Sequence, residues 1–345
     1  MIRAVFVAIL LALPWTGCAN ALDARYDILS FDTLDGWEED DHAKALHVFS
    51  QTCQDMKDVD WRALCKLAQQ KPGARDFFEL FFRPVLISEG APALFTGYFE
   101  PELNGSLRRG GRYQYPLYRQ PPEAREANPW LTRREIETGD EMKDRGLEIA
   151  WVDDPVELFF LQIQGSGRIR LPDGRMIRVG YGGANGHEYR SIGAELVRRG
   201  VYDLHQVSAQ VIRNWVRRNP EEGAELLMHN PSYVFFRRID DLEPSLGPRG
   251  AMNRSITTGR SIAVDPQFVP LGAPVWIEKA GAAPIHRLMV AQDTGSTIKG
   301  AQRADVFMGT GDDAGRVAGT MRDGGRMLVL MPIQRAYALA PDAMQ

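Results

Sequence analysis

The sequence has no excess of positive charge and no long apolar run in its interior. Its formal net charge is −4 at pH 7 over 345 residues, so electrostatics give no reason to expect a nucleic-acid partner. A membrane-spanning helix needs about 20 apolar residues, and no interior stretch approaches that length. These absences favour an ordinary globular chain, and its length predicts about two domains.

Motifs for metals, nucleotides and serine nucleophiles are also missing. The six histidines are scattered, and His187-Glu188 has no second histidine four residues later. Ser166 lies in Gln-Gly-Ser-Gly-Arg, which lacks the G-x-S-x-G frame of a nucleophile elbow. The stretches GYGGANG and GTGDDAG fit turns better than nucleotide loops, because neither carries the full fingerprint. We therefore expect no metal site and no cofactor.

The N-terminus is typical of an exported protein. Arg3 precedes the apolar run AVFVAILLALPWTG, which has signal-peptide length. One interpretation is a signal peptide over 1–21, cleaved after Ala21. The other resembles a bacterial lipoprotein signal in which Cys18 is lipidated, although Trp15 departs from the usual aliphatic residue. Both interpretations predict the periplasm, and the second would attach the protein to the periplasmic face of a membrane, with an outer-membrane lipoprotein as one option.

The two other cysteines stand on either side of a short link between two predicted helices. Cys53 ends the pattern ALHVFSQTC and Cys65 lies in WRALCKLAQQ, with Asp60 as the predicted N-cap. An exported protein meets an oxidising compartment, so a disulfide between Cys53 and Cys65 is predicted. Two separate buried thiols remain the alternative.

Three aspartates lie within short apolar runs near the C-terminus. Asp265 follows Ile-Ala-Val, Asp293 follows Val-Ala-Gln, and Asp305 precedes Val-Phe-Met. Each run is bounded by glycine or proline, which indicates a buried strand. Asp265 precedes a proline and fits a turn cap. If the strands of Asp293 and Asp305 are neighbours, the carboxylates share one site, which pushes their pKa values apart and keeps one acid protonated.

A second group of polar residues lies upstream. FTGYFEP is predicted to contain a strand that includes Tyr98 and ends at Pro101. Tyr98 fits a sugar-stacking platform, and Glu100 fits a solvated or capping role in the turn. VELFFLQIQGSG is predicted to be a strand, which places Gln162 and Gln164 on one face. The glycines of Gly165-Ser166-Gly167 allow a close approach of another chain or a ligand. Carboxylates, glutamines and aromatics are the side chains of a carbohydrate site.

The order of the predicted elements gives a layout for the chain. The stretch ARDFFELFFRPVLIS, residues 74–88, is predicted to be a helix that packs under a sheet, because it has too many aromatics for a solvated helix. Strands over 91–105 and at the C-terminus are predicted to form one β-rich core. Residues 106–238 would form a second unit inserted between them.

The motifs occur in a recognisable order. FTGYFEP, YPLYRQP, LTRREI, FFLQIQGSGR, YGGANGHEYRSIG and NPSYVFFR are followed by D-P-x-x-V-P-x-G, A-x-D-T-G-x-x-I-K-G and D-V-F-x-G. This series resembles the membrane-bound lytic murein transglycosylase A family with its C-terminal three-aspartate (3D) domain. The resemblance covers nearly the whole chain after the signal.

The resemblance implies a fold that is mainly β with helices. A double-psi β-barrel domain would be formed by N- and C-terminal parts, with a second β-rich domain inserted. In this numbering, 22–105 would supply the N-terminal helices and the first part of the barrel, 106–238 the inserted β domain, and 239–345 the 3D domain that completes the barrel. A groove between the domains would hold the glycan.

The resemblance also implies an activity and its residues. The family cleaves the β-1,4 bond between N-acetylmuramic acid and N-acetylglucosamine and forms 1,6-anhydro ends. Asp305 would be the catalytic acid and base, with Asp293 beside it. Substrate-binding residues would be Tyr98, Glu100, Gln162, Gln164, Gly165, Ser166 and Asp265. The expected partner is a peptidoglycan strand, bound by a monomer, with a lipid anchor if Cys18 is lipidated. Two alternatives stay open: a glycoside hydrolase using Asp305 and Asp293, and a non-catalytic peptidoglycan-binding protein.

Overall fold

Two β-sheets form the framework of the computed structural model, which describes residues 24–340. The predicted signal peptide and the proposed lipidation at Cys18 lie outside the described residues. The strands are β1 (Arg25–Ile28), β2 (Phe82–Ser88), β3 (Leu94–Glu100), β4 (Glu102–Ser106), β5 (Tyr115–Tyr118), β6 (Glu148–Val152), β7 (Gly167–Arg170), β8 (Met176–Ala184), β9 (Val234–Ile239), β10 (Ser261–Val264), β11 (Pro274–Lys279), β12 (Ile285–Asp293), β13 (Arg303–Thr310), β14 (Arg322–Asp323) and β15 (Gly325–Pro332).

Helices are distributed over both sheets. They are α1 (His42–Thr52), α2 (Val59–Ala68), α3 (Ala74–Phe81), α4 (Glu123–Glu126), α5 (Arg133–Thr138), α6 (Pro155–Gln164), α7 (Ile192–Arg198), α8 (Ala209–Arg218), α9 (Pro220–Met228), α10 (Gly311–Thr320) and α11 (Ile333–Leu339). Within residues 24–340, no helix has the length and apolar character needed to cross a membrane.

The larger sheet combines strands from both ends of the chain. Its nine strands run in the order β1-β2-β15-β11-β12-β10-β13-β3-β14, and the main apolar core packs against it, with Trp37, Phe49 and Trp276 among its fully buried side chains. The predicted union of N- and C-terminal parts is therefore confirmed. The described pairings run from an edge at β1 to an edge at β14, so closure into a barrel is not detected among these strands.

The smaller sheet is built from the middle of the chain. Its six strands run in the order β5-β6-β4-β7-β8-β9, so a second β-rich unit lies between the strands of the larger sheet in sequence. The chain passes from the larger to the smaller sheet at Pro101, because β3 ends at Glu100 and β4 begins at Glu102. This crossing precedes the predicted boundary at 105.

The prediction of one helix over residues 74–88 was half wrong. Helix α3 ends at Phe81, and Phe82–Ser88 forms β2, which pairs with β1 and β15. Pro84 is incompatible with a helix interior, because it lacks an N–H and its ring clashes with the preceding turn. The aromatic helix does pack in the core as expected, with Phe77 and Phe78 buried.

The strand predicted for VELFFLQIQ is a helix, α6. Asp154 caps it by accepting hydrogen bonds from the backbone N–H groups of Val156 and Glu157, and Pro155 occupies its first turn. Because α6 is buried on several sides, its apolar residues show no helical period. Gln162 and Gln164 therefore do not share a strand face.

The predicted disulfide between Cys53 and Cys65 is confirmed. It connects the end of α1 to α2, and the cap of α2 is Asp58 rather than Asp60, since the Asp58 side chain accepts a hydrogen bond from the backbone N–H of Asp60. The bridge fixes both helices against the core of the larger sheet.

Removing this disulfide is expected to destabilise the fold. The cysteines are 12 residues apart, and on the loop-entropy account the Cys53→Ser, Cys65→Ser double variant should lose about 2–3 kcal/mol of unfolding free energy. Urea denaturation of the variant, with the reduced wild type as its control, measures the loss. A variant as stable as the oxidised protein would contradict the entropic account.

Candidate active site

Asp293 and Asp305 lie on the same face of the larger sheet. Strand β10 runs between their strands, and its Ala263 is in register with Asp293 of β12 on one side and with Asp305 of β13 on the other. Registered neighbours in a sheet present their side chains to one face. The side chain of Ala263 between the aspartates is only a methyl group, so no long side chain of β10 separates the two carboxylates.

The strands that carry Asp293 and Asp305 are not direct neighbours in the sheet. One strand separates them, so the Cα atoms of Asp293 and Asp305 are two strand spacings apart, ~10 Å. The two carboxylates still face one shared region. Tyr98 of β3 also reaches across this face, since its hydroxyl donates a hydrogen bond to Asp293.

Asp305 is poised to carry a proton near neutral pH. Thr96 Oγ donates a hydrogen bond to Asp305 Oδ1 at 2.8 Å, and Arg303 Nη2 donates to Thr96 Oγ at 2.8 Å. Burial raises the pKa of the Asp305 carboxyl to about 6, against the lowering effects of Thr96 and Arg303; the charge of Asp293 adds to the rise. A carboxyl with such a pKa can donate a proton and accept one.

Asp293 is held by three donors. Its Oδ1 accepts hydrogen bonds from the backbone N–H groups of Ala251 and Thr294, both at 2.9 Å, and its Oδ2 accepts one from the Tyr98 hydroxyl at 3.0 Å. Burial raises the pKa of Asp293, while these bonds act in the opposite direction by stabilising its ionised form. The geometry suits a fixed carboxylate better than one that moves.

Tyr98 connects strand β3 to Asp293 across the site. Its ring packs at 5.3 Å from the ring of Phe307, its partner in the β13 register. Burial, followed by the charge of Asp293, raises the pKa of Tyr98, so its hydroxyl stays a donor. The predicted residue is therefore in the site, and it contributes a hydrogen bond to Asp293.

Gly97, beside Tyr98, lets helix α10 approach β3 closely. A Cβ added at Gly97 would lie 2.8 Å from the Cα of Ala318, which is closer than side-chain atoms pack. The glycine therefore sets the distance between α10 and the strand that carries Thr96 and Tyr98.

Glu100 lies two residues beyond Tyr98 on β3, where arginines of the smaller sheet enclose its side chain. Its side chain is fully buried, with Arg168 Nε 2.8 Å from Oε2 and Arg178 Nε 2.9 Å from Oε1. The Thr310 hydroxyl also donates to Oε2. Because Arg168 and Arg178 belong to the smaller sheet, Glu100 joins the two sheets. The solvated turn expected for it was wrong.

The two glutamines have different surroundings. Gln162 is buried and its Oε1 accepts a hydrogen bond from Arg133, a fully buried arginine. Gln164 Oε1 accepts one from the backbone N–H of Phe99, next to Tyr98. Gly165 ends α6 in the left-handed conformation at φ 76°, and Ser166 follows it, partly exposed. Gln164 therefore contacts the strand of Thr96 directly.

Asp265 has the contacts of a turn cap. Its side chain accepts hydrogen bonds from the backbone N–H groups of Gln267 and Gly300, and it is 1% exposed. These bonds link the turn after β10 to the loop before β13. The substrate-binding role implied for Asp265 stays a prediction, but its contacts are those of a structural residue.

Two residues of the site were not singled out from the sequence. Thr96 and Arg303 act on Asp305 through the parallel pairing of β3 with β13, in which Thr96 is opposite Asp305 and Arg303 is opposite Leu94. The available signal was their period-two spacing: Thr96 precedes Tyr98, and Arg303 precedes Asp305, by two residues each. Within residues 24–340, no group of histidines, cysteines and carboxylates is arranged to hold a metal ion.

The fold and this site define a two-sheet protein whose acidic centre lies on a sheet shared by the chain's two ends. Two domain families match the sequence over these parts. The MltA specific insert domain matches residues 94–237 and the 3D domain matches residues 260–331. The first match covers β3 to β9 up to Arg237, and the second contains Asp265, Asp293 and Asp305.

Proteins with similar sequences or structures carry the name of the same family. Membrane-bound lytic murein transglycosylase A of Escherichia coli strain K12 is 37% identical over 247 residues, which is 68% of this chain and 65% of the relative, so the chain spans just under two thirds of that relative's length. A membrane-bound lytic murein transglycosylase from Agrobacterium tumefaciens has a TM-score of 0.83 and 32% identity, covering 91% of this chain and 99% of that chain.

A second similar structure contains a glycan. Escherichia coli MltA with bound chitohexaose has a TM-score of 0.71 and 29% identity, covering 85% of this chain and 89% of that chain. Taken with the domain matches, these similarities mean that the chain belongs to the membrane-bound lytic murein transglycosylase A family.

Proposed function

We propose that this protein is a peptidoglycan lytic transglycosylase in which Asp305 is the acid and the base. The observation that carries the proposal is the half-buried Asp305, whose pKa is raised to about 6 on a face shared with Asp293. Family membership supplies the substrate class, since the relatives are named murein transglycosylases. The solved complex of a relative with chitohexaose supports a linear glycan as the ligand.

The proposed reaction uses one proton, which Asp305 first donates and then recovers. Protonated Asp305 donates to the oxygen of the β-1,4 bond between N-acetylmuramic acid and N-acetylglucosamine, and the C1–O bond breaks. Positive charge develops at C1, where the fixed Asp293 carboxylate stabilises it. The C6 hydroxyl of the muramyl sugar then bonds to C1 and returns its proton to Asp305. The product is a 1,6-anhydro end, and no water is consumed.

The scheme needs one acid/base residue because the nucleophile belongs to the substrate. Most glycosidases use two carboxylates with separate roles. Here Asp293 already accepts three hydrogen bonds, which favours a stabilising anion over a base that activates water. The other parts of the proposal are the double-psi form of the larger sheet, which the joining of strands from both chain ends supports, and a lipid anchor at Cys18.

Release of soluble fragments from purified peptidoglycan, followed beside the number of reducing ends, tests the proposal. The protein should solubilise glycan without a matching gain in reducing ends, because each cleavage forms an anhydro end. A reducing end for every cleavage would mean a hydrolase with Asp293 as its base. Binding without release would mean a glycan-binding protein.

Opposite shifts of the pH profile are expected for two neighbours of Asp305. The Asp293 charge raises the pKa of Asp305, while the Thr96 hydrogen bond lowers it. Because the reaction begins with Asp305 protonated, kcat/KM should fall as pH rises through about 6. Asp293→Asn should move this fall to lower pH, and Thr96→Val should move it to higher pH. Profiles of kcat/KM between pH 4 and 9 measure both; unmoved profiles would contradict the assigned couplings.

A further inference from the structure

The aspartate face continues beyond Asp305 to an arginine. Thr96 of β3 is in register with Asp305 on one side and with Arg322 of β14 on the other. The row Asp293, Ala263, Asp305, Thr96, Arg322 thus crosses five adjacent strands on one face. Arg322 is two strand spacings from Asp305, ~10 Å between Cα atoms, which is a distance that an arginine side chain largely spans.

Arg322 is an exposed cation that the described part of the chain leaves unpaired. No carboxylate of residues 24–340 lies within ion-pair distance of it, and its guanidinium donates no hydrogen bond there. By contrast, Arg316 on α10 is paired with Asp313, and Arg326 on β15 is paired with Glu278. Arg322 is therefore available to a ligand that lies on the aspartate face.

A second cation strengthens the positive field at this end of the row. Arg303 lies beside Thr96, and its pKa is lowered first by burial and also by the charge of Arg322. Among residues 24–340, Arg303 hydrogen bonds only to neutral groups, namely Thr96 and the carbonyls of Leu94 and Ala304. With Asp305 protonated for catalysis, this end of the site carries two guanidiniums and no ionised carboxylate, so an anion would find a favourable position there.

We propose that Arg322 binds a carboxylate on the muramyl residue of the glycan and so makes the site prefer acidic strands over neutral ones. The inference rests on the proposed function and specifies its substrate. A guanidinium can hold a carboxylate with two parallel hydrogen bonds. The carboxylate has two sources. In a strand without peptides it belongs to the lactyl group. In an intact strand the lactyl carboxyl forms an amide bond to the peptide stem, so the carboxylate belongs to the peptide.

Binding to three glycans tests the inference. The Asp305→Asn protein, with or without Arg322→Gln, is titrated by calorimetry with intact strands, with strands stripped of peptides by an amidase, and with chitohexaose, which has no carboxylate. Arg322→Gln should weaken binding of a carboxylate-bearing strand about fivefold to tenfold and leave chitohexaose unchanged. A loss with stripped strands assigns the lactyl carboxylate, and a loss with intact strands alone assigns the peptide.

Two further variants complete the test. Arg322→Lys should recover part of the affinity, because it keeps the charge but not the planar fork. Arg316→Gln, which removes an exposed arginine from the neighbouring helix, should change none of the three affinities. Equal losses for chitohexaose and the acidic strands, or no loss for any strand, would overturn the inference. These titrations use the Asp305→Asn variant and measure binding without turnover. Absence of anhydro products from the wild type would therefore count against the proposed function alone.

Discussion

Asp305→Asn should lower the rate of glycan cleavage by about 10²–10⁴-fold, which is the range that general acid and base catalysis contributes. Asparagine keeps the shape of the side chain and can still accept the hydrogen bond from Thr96, which is 2.8 Å from Asp305 in the wild type. What it lacks is the proton that the glycosidic oxygen must receive. Initial rates of anhydro-end formation measure the loss.

The same substitution should stabilise the fold at neutral pH. The pKa of Asp305 is raised by burial to about 6, whereas an unfolded aspartate titrates near about 3.9. The folded state therefore holds the proton more tightly, and stability is lost as pH rises from about 4 through 6. Asparagine removes that loss, so the unfolding free energy at pH 7 should rise by about 1–2 kcal/mol after allowance for partial solvent access.

Denaturation of both proteins at several pH values measures whether the unfolding free energy rises as expected. The gain from Asp305→Asn should vanish at pH 4, where the wild-type carboxyl is protonated in both states. Asp312→Asn, at an exposed aspartate in the first turn of α10, is the matched control and should show no comparable gain. A variant that cleaves glycan at the wild-type rate, or that is less stable at pH 7 by the same margin, would contradict the account of Asp305.

Glu100→Ala should destabilise the protein by about 3–5 kcal/mol, because it leaves two arginines without their shared carboxylate in a buried position. Glu100 is fully buried, and the side chains of Arg168 and Arg178 are 17% and 8% exposed. Arg178 Nη2 also donates to the carbonyl of Leu246 at 2.7 Å, so the loss reaches the segment between the smaller sheet and β10. Chemical denaturation gives the change in unfolding free energy.

Glu102 offers a matched control two residues away. Its carboxylate is 3.0 Å from Arg170, and its side chain is 27% exposed, so Glu102→Ala should cost less than about 1 kcal/mol. Equal costs for the two alanine variants would mean that the buried cluster does not hold the two sheets together. A large loss of unfolding free energy for Glu100→Ala alone would mean that Glu100 stabilises the fold rather than binds the glycan.

Local chemistry in the sequence predicted several elements correctly. The pattern LTRREIETG predicts a short helix with Thr132 as N-cap and Glu135 completing a capping box. Helix α5 has this box, in which Thr132 and Glu135 satisfy each other's backbone N–H groups. The stretch LPDG predicts a hairpin turn, and it connects the antiparallel strands β7 and β8. These features depend on residues a few positions apart, so the sequence contains the whole signal.

Helix α6 was missed because its surroundings are apolar on more than one side. Leu158 and Leu161 pack against the smaller sheet, while Phe159 and Phe160 pack against helices α7 to α9. A helix buried in this way reads as a continuous apolar run, which a buried strand also produces. The capping pair Asp154 and Pro155 was the discriminating signal.

The composition of the site depended on pairings that span most of the chain. Asp293 and Asp305 were predicted as site residues, and the structure places both on one face. Thr96 and Arg322 join them only through the pairing of β3 with β13 and β14. Such pairings link residues some two hundred positions apart, as the bond between Thr96 and Asp305 does with a separation of 209. No local pattern specifies that register.

Mass spectrometry of the fragments released from purified peptidoglycan distinguishes a transglycosylase from a hydrolase. The wild-type protein should release muropeptides lighter by one water than the hydrolytic products, and Asp305→Asn should release them at least about 10²-fold more slowly. Fragments with free reducing ends, or anhydro fragments formed at the same rate by Asp305→Asn, would contradict the proposed reaction.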